Sequence, residues 1–195
     1  MSKASWRDKV YGAVGELLTV PAKYSTAIEV ALGGSVQNIV TEDEETAKAA
    51  IEFLKREKLG RVTFLPLNRI SNYAKLRDIE ESGVIGFANN LIQTDLKLSK
   101  IADFLLSRTL IVDNIDNALR ISRRHNIKIV TLEGDVVNVG GSLTGGSVYN
   151  GKSTIILKQE LKHLEANIYA TSYKKYEKNP ENISIFLATN PYSEI

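Results

Sequence analysis

The chain has 195 residues, 43% hydrophobic and 25% charged, with a formal net charge of +2. That is enough chain and apolar content for one full core or two small lobes, and it excludes a strongly basic nucleic-acid binder. With no cysteine and only two histidines, His125 and His163, 38 positions apart, the sequence offers neither a disulfide framework nor metal-ligand spacing; with no signal core or membrane-length apolar run, it reads as soluble, cytoplasmic and not secreted.

In chain order, Trp6 and Val10 stand four apart, so Met1 to Val10 is a candidate stub of a longer helix. After Gly12 and Gly15, the run ELLTV (residues 16–20) is a candidate strand. Pro21 takes the favoured first-turn position of a helix that carries Ile28, Ala31 and Leu32 on one side and ends at Gly33-Gly34. Val36 to Val40 reads as a strand. Thr41 or Asp43 then caps a helix that is acidic at its start and basic at its end, with Ala47, Ala50, Ile51 and Leu54 at helical spacing. Arg61 to Leu65 is a strand closed by Pro66.

Asn68 to Glu81 is polar and weakly patterned, the best candidate for a linker or surface excursion. Gly83 to Ile92 is apolar with helix-like spacing, and Leu98 to Leu106 is a clearer helix. Thr109 to Asp113 is a buried-strand run, Asn114 or Asp116 caps the next helix, and Ile127 to Leu132 is another strand. Glu133-Gly134 turns into a hairpin that leads to two glycine pairs, Gly140-Gly141 and Gly145-Gly146. The two halves echo each other as helix, strand, capped helix, strand, which reads as a duplication. Two similar lobes have similar edges, a starting point for pairing one lobe with the other lobe of a second copy.

Beyond Ser153, Leu157, Leu161, Leu164 and Ile168 are spaced four, three and four apart, a coiled-coil stripe of about two heptads. The final segment, containing Asn179-Pro180 and Asn190-Pro191, cannot continue that helix and is set apart as a tail of unassigned origin.

Gly146 to Ser153, GSVYNGKS, satisfies the G-x-x-x-x-G-K-[ST] phosphate-loop pattern, which gives a nucleotide-binding protein as the alternative reading. The motif requires a buried strand before the loop, whereas Ser142 to Gly145 is polar and glycine-rich. Asp113, the candidate metal-binding aspartate, lies upstream where the usual order places it downstream. The glycine pairs admit three readings: a tight turn, a cofactor cradle, or a strand edge where a second backbone approaches, the last favoured by position and composition. Arg120, Arg123, Arg124 and Lys128 form one basic cluster and the lysines from Lys152 onward another; a solvated helix end is the bland reading of the first. No carboxylate pairs with a histidine or nucleophile at a recognisable spacing, so no catalytic constellation is predicted.

The stretches GAVGELLTV, AIEVALGGSVQNIVTEDEETAKAAIEFLK, GRVTFLPL and TLEGDVVNVGGSLTGGS, in this order, closely resemble the hinge domain of bacterial structural maintenance of chromosomes (SMC) proteins. The resemblance covers about Gly12 to Ser147, with the coil stub extending it to about Ile168. It implies a mixed α/β fold of two similar lobes inserted in a long antiparallel coiled coil. The expected organisation is a coil root over residues 1–11, lobe one over 12–67, a linker over 68–82, lobe two over 83–150, a second coil root over 151–170 and a tail over 171–195. It further implies a homodimer in which lobe one of each chain meets lobe two of the other, with Gly140, Gly141, Gly145 and Gly146 at the interface. The hinge would join the two arms of a chromosome condensation and segregation ATPase associated with the nucleoid, and opening of its interface is a candidate gate for DNA. ATP hydrolysis in such proteins belongs to a distant head domain, so this chain is expected to be non-catalytic, without cofactor, metal or small-molecule substrate. Weak, non-specific DNA binding at the transition into the coil maps here onto Lys152, which stands without a run of lysines; Arg120, Arg123 and Arg124 offer an alternative surface.

Overall fold

A computed structural model describes residues 6–71, 76–146 and 154–176, with side chains in the last helix through Asn167. The first compact unit, Met1–Ile156, contains both lobes; the second is Leu157–Ile195.

Lobe one runs β1 (Val10–Ala13), α1 (Val14–Leu17), α2 (Ser25–Leu32), β2 (Ile39–Thr41), α3 (Glu44–Glu57) and β3 (Phe64–Pro66). Lobe two runs β4 (Val84–Phe87), α4 (Ser99–Leu106), β5 (Thr109–Val112), α5 (Ile115–Ser122) and β6 (Lys128–Thr131), then adds β7 (Val136–Val137) and β8 (Leu143–Thr144). The sheets are ordered β1-β2-β3 and β4-β5-β6-β7-β8.

The repeat legible in the sequence holds at the level of individual residues. Each lobe opens with an antiparallel pair followed by a parallel one, β1 on β2 on β3 and β4 on β5 on β6. Both antiparallel pairs carry an irregular register at the same place, Val10/Gly12 in one and Val84/Gly86 in the other. At both bulges the glycine has a positive φ, +124° at Gly12 and +148° at Gly86, a geometry that disfavours a side chain. Two residues beyond the central strand each lobe caps its outer helix with a short polar side chain. Asp43 Oδ1 accepts from the Thr46 N–H at 2.8 Å, and Asn114 Oδ1 accepts from the Asn117 N–H at 3.0 Å. Of the two residues nominated for each cap, Asp43 and Asn114 are the ones used.

Alternation along the central strand of lobe two builds two cores. Ile111 and Val130 face the larger cluster, which also takes Ile28 from α2, Ile101 and Leu106 from α4, and Val40 and Leu65 from lobe one. Leu110, Val112 and Ile129 face the other way, against Ala118 and Ile121 of α5 and Phe87. The larger cluster is therefore shared between the lobes. Ile155 at the start of α6 (Thr154–Tyr176) is also buried in it.

Several expected elements fall elsewhere. Val10 begins β1, preceded by a 3-10 turn over Arg7–Lys9, and Trp6 packs on Phe53 of α3 with ring centroids 5.8 Å apart instead of continuing a helix toward Val10. The run from Glu16 to Val20 is not a strand: α1 ends at Leu17, and Thr19 makes an isolated bridge with Gln93. The apolar stretch from Gly83 forms β4 and a 3-10 turn over Ala88–Leu91, because its spacing fits both periods and strand pairing with β5 decides. Within the linker, Leu76 and Ile79 pack on the smaller core, so this segment is a strap over lobe two. Helix α6 continues to Tyr176, past the expected start of the tail.

The Asp43 carboxyl is held down at about 2, from an ordinary 3.8, by the hydroxyl and N–H of Thr46 and by Lys9. A depressed carboxyl stabilises the fold above its ordinary range and loses that contribution as pH falls toward 2. Asp43→Ala should lower the melting temperature at pH 7 by about 2–4 °C, and Asp43→Asn, which still caps, by less. The deficit of the Ala variant should shrink as pH falls from 4 toward 2, read by circular-dichroism melts.

Candidate functional site

Valine pairing places β7 against β6, and the chain reverses at Asn138 to Ser142 so that β8 lies on the outer side of β7. Gly140 and Gly141 make this turn, with φ of +88° and +92°, and the Gly141 N–H donates to the Asn138 carbonyl at 2.9 Å. The first glycine pair thus satisfies the tight-turn reading. A Cβ at Gly140, Gly141 or Gly146 would meet nothing within 4 Å, so backbone conformation and not crowding inside the protomer selects glycine there. Gly145 differs: a Cβ there would stand 2.6 Å from Asp135 Oδ1. Aspartate at Gly145 would therefore oppose Asp135 within the same chain.

What the hairpin delivers is β8, the last strand of its sheet, with Leu143 and Thr144 exposed. Leu143 is 58% exposed and Val139, in the turn, 58%. Among the described residues lobe one has no counterpart to this hairpin, and β3 is the last strand of its own sheet. The approach to β3 carries Leu59 and Val62, exposed at 59% and 40%. Four strands end the two sheets, β1, β3, β4 and β8, and of these β3 and β8 each lie beside exposed apolar side chains, a signature of a surface that pairs.

The predicted basic cluster does not stay together. Arg120 donates to Glu81 Oε2 at 2.6 Å, to the Ser82 carbonyl and to Asn117, and is thereby committed to the end of the strap. Arg124 lies 3.7 Å from the same carboxylate. His125 Nε2 is 3.0 Å from Glu81 Oε1, and since a carboxylate only accepts, that nitrogen carries the proton. Lys128 is half-buried and points the other way, onto the Ala31 carbonyl of lobe one. Arg123 and Arg124 are exposed. Lys152, and all but the first residue of the phosphate-loop match, lie outside the described residues. What precedes that match is β8, a short exposed antiparallel edge and not the buried strand a phosphate loop needs. In α6, Leu157, Leu161 and Leu164 are exposed at 50–57%, an apolar stripe as the heptad spacing predicted; Ile168 lies outside the residues whose side chains are described. Among the described residues, no group of three or more His, Asp or Glu could hold a metal, and no helix is long and apolar enough to cross a membrane.

Comparison with known proteins gives a consistent answer. Residues 7–122 match the family described as the SMC proteins flexible hinge domain. The chromosome partition protein Smc of Clostridium kluyveri is 43% identical over 150 residues, covering 73% of this chain and 12% of that protein. The chain thus spans about an eighth of that relative's length. Among solved structures, an asymmetric dimer of the Geobacillus stearothermophilus SMC hinge domain aligns with a TM-score of 0.73 at 32% identity, covering 92% of this chain and 76% of that one. A Pyrococcus furiosus Smc hinge domain with an extended coiled coil aligns with a TM-score of 0.63 at 31% identity, covering 92% and 69%.

The strap is the part of this surface whose anchorage titrates. The hydrogen bond from His125, followed by Arg120 and Arg124, holds the Glu81 carboxyl below its ordinary 4.5. The anchorage is therefore complete at neutral pH and is lost as pH falls through that lowered value. Glu81→Gln should speed tryptic cleavage after the exposed Arg77 several-fold at pH 7, measured by limited proteolysis, while β-sheet circular dichroism stays unchanged.

Proposed function

Because this chain belongs to the SMC flexible hinge family, we propose that it is a homodimerisation domain in which β8 of one protomer pairs with β3 of its partner. A two-fold axis repeats the contact, so each chain gives and receives one edge and the pair closes into a ring. The observation that carries this reading is that β3 and β8, one from each sheet of the protomer, are end strands bordered by exposed apolar side chains. The Geobacillus relative crystallised as a dimer supports it. Gly140 and Gly141 serve the interface by forming the turn that presents β8, and Gly145 by letting the edge lie close over Asp135.

In this reading the domain does no catalysis; it joins two coiled-coil arms of which α6 is one root, its exposed leucine stripe awaiting the antiparallel helix. Opening one of the two contacts, without dissolving the other, is the step that would pass DNA. Direct DNA contact would fall to Lys152 and Arg123, since Arg120 and Arg124 both pair with Glu81. Two cations support only a weak, non-specific affinity with a log–log salt slope of about −2.

The test uses charge on the two edges. Leu143→Lys and Val62→Glu change exposed side chains and should leave the protomer folded. Each variant alone should sediment as a monomer at concentrations where the unmodified domain is a dimer. Mixed in equal amounts, they should recover dimers. In the heterodimer one contact is unmodified and the other sets lysine against glutamate. Stable dimers of Leu143→Lys alone would remove β8 from the interface.

A further inference from the structure

The seam between the lobes is mainly apolar, and the hydrophobic driving force behind it is non-directional. Polar ties add directed constraints on the angle to those of packing. Thr19 and Gln93 exchange backbone hydrogen bonds at 2.8 Å in both directions, and the Thr94 hydroxyl donates to the Leu17 carbonyl nearby. A separate tie comes from Lys128, at the start of β6 in lobe two, whose Nζ donates to the Ala31 carbonyl at 2.9 Å in the last turn of α2 in lobe one. That carbonyl is among the four at a helix C-terminus that no later turn satisfies, and a cation there also meets the negative end of the helix dipole.

The equivalent position of lobe one carries no such lysine. Thr41 pairs with Pro66 as Val112 pairs with Thr131, so counting back three residues sets Thr63 opposite Lys128 in the repeat. Thr63 is exposed. Lobe two alone therefore reaches across. Burial works against the lysine, pushing its pKa down, and a neutral carbonyl returns little of what desolvating an ammonium costs. An apolar side chain would serve cohesion at least as well. What the lysine has and an apolar side chain lacks is a directed bond to the Ala31 carbonyl.

We propose that Lys128 is a positioning residue that sets the angle between the lobes, and thereby whether one partner can engage β3 and β8 of the same chain at once. The inference rests on the ring-dimer reading above. In a ring with two contacts, the second forms at an effective concentration set by how rigidly the first holds the remaining edges. A loose seam lowers that concentration while leaving each edge intact.

The chain has no cysteine, so Lys48→Cys on α3 and Asp116→Cys on α5 give one label on each lobe. Spin-label distance distributions, recorded with excess unlabelled protein, report the lobe angle; sedimentation reports dimer affinity. Lys128→Met, which keeps the apolar stem, should broaden the distribution and weaken the dimer about tenfold or more, with a melting temperature close to that of the unmodified domain. Lys128→Arg should restore both readouts, which a purely cohesive role does not require. Should the Met variant fail to fold, Lys128→Leu, which likewise has no donor, gives the same comparison. A narrow distribution in Lys128→Met overturns the proposal, whatever happens to affinity, and so does a broadened one with unchanged affinity. If the unmodified domain is itself a monomer, the ring reading falls; the label distances still decide whether Lys128 fixes the lobes.

Discussion

The structure depends on the two lobes sharing one core. Each sheet has two faces, and one outer helix covers only one of them. In lobe one α3 covers the outer face; in lobe two α5 does. The inner faces, with Val40 and Leu65 on one side and Ile111 and Val130 on the other, are buried only because α2 and α4 lie with them in a common cluster. Each lobe is thus the other's missing layer, which accounts for their appearance as one compact unit despite their separate sheets.

That arrangement satisfies faces and leaves edges. The backbone groups along the outer sides of β3 and β8 have no partner strand within the sheet order of the protomer. In water such edges are tolerable when short and charged; here they are short but bordered by Leu59, Val62, Val139 and Leu143. The glycine-rich stretch acquires its meaning from this geometry. Its first pair is a turn by conformation, and its consequence is an edge: forming one presents the other.

Two charged groups in this molecule, Glu81 and Lys128, serve internal placement. Glu81 gathers Arg120, Arg124 and His125 and so pins the strap that joins the lobes along the chain. Lys128, drawn by sequence proximity into the same basic cluster, belongs to a different problem and lies on the seam. Residues adjacent in sequence at the end of a helix and the start of a strand point to different places once the chain turns. A linear charge cluster is therefore a poor guide to a surface patch.

The sequence by itself determined the repeat, the helices capped at Asp43 and Asn114, the apolar strands β5 and β6, and the hairpin that ends in the glycine pairs. Each of these is written in local chemistry: a capping oxygen, a run of β-branched residues, a pair of residues that tolerate positive φ. It also carried, through its motif blocks, the family to which the chain belongs. The tertiary structure decided what local chemistry leaves degenerate. Short apolar runs such as Glu16 to Val20 and Gly83 to Ile92 fit either period, and only their neighbours made one a helix and a bridge and the other a strand. The commitment of Arg120, the crossing of Lys128, the strap over the second core and the placing of β3 and β8 at sheet edges all depend on partners 38 to 97 residues away or on strand order. No local pattern encodes a long-range pairing, because each such contact is selected by the burial of everything around it.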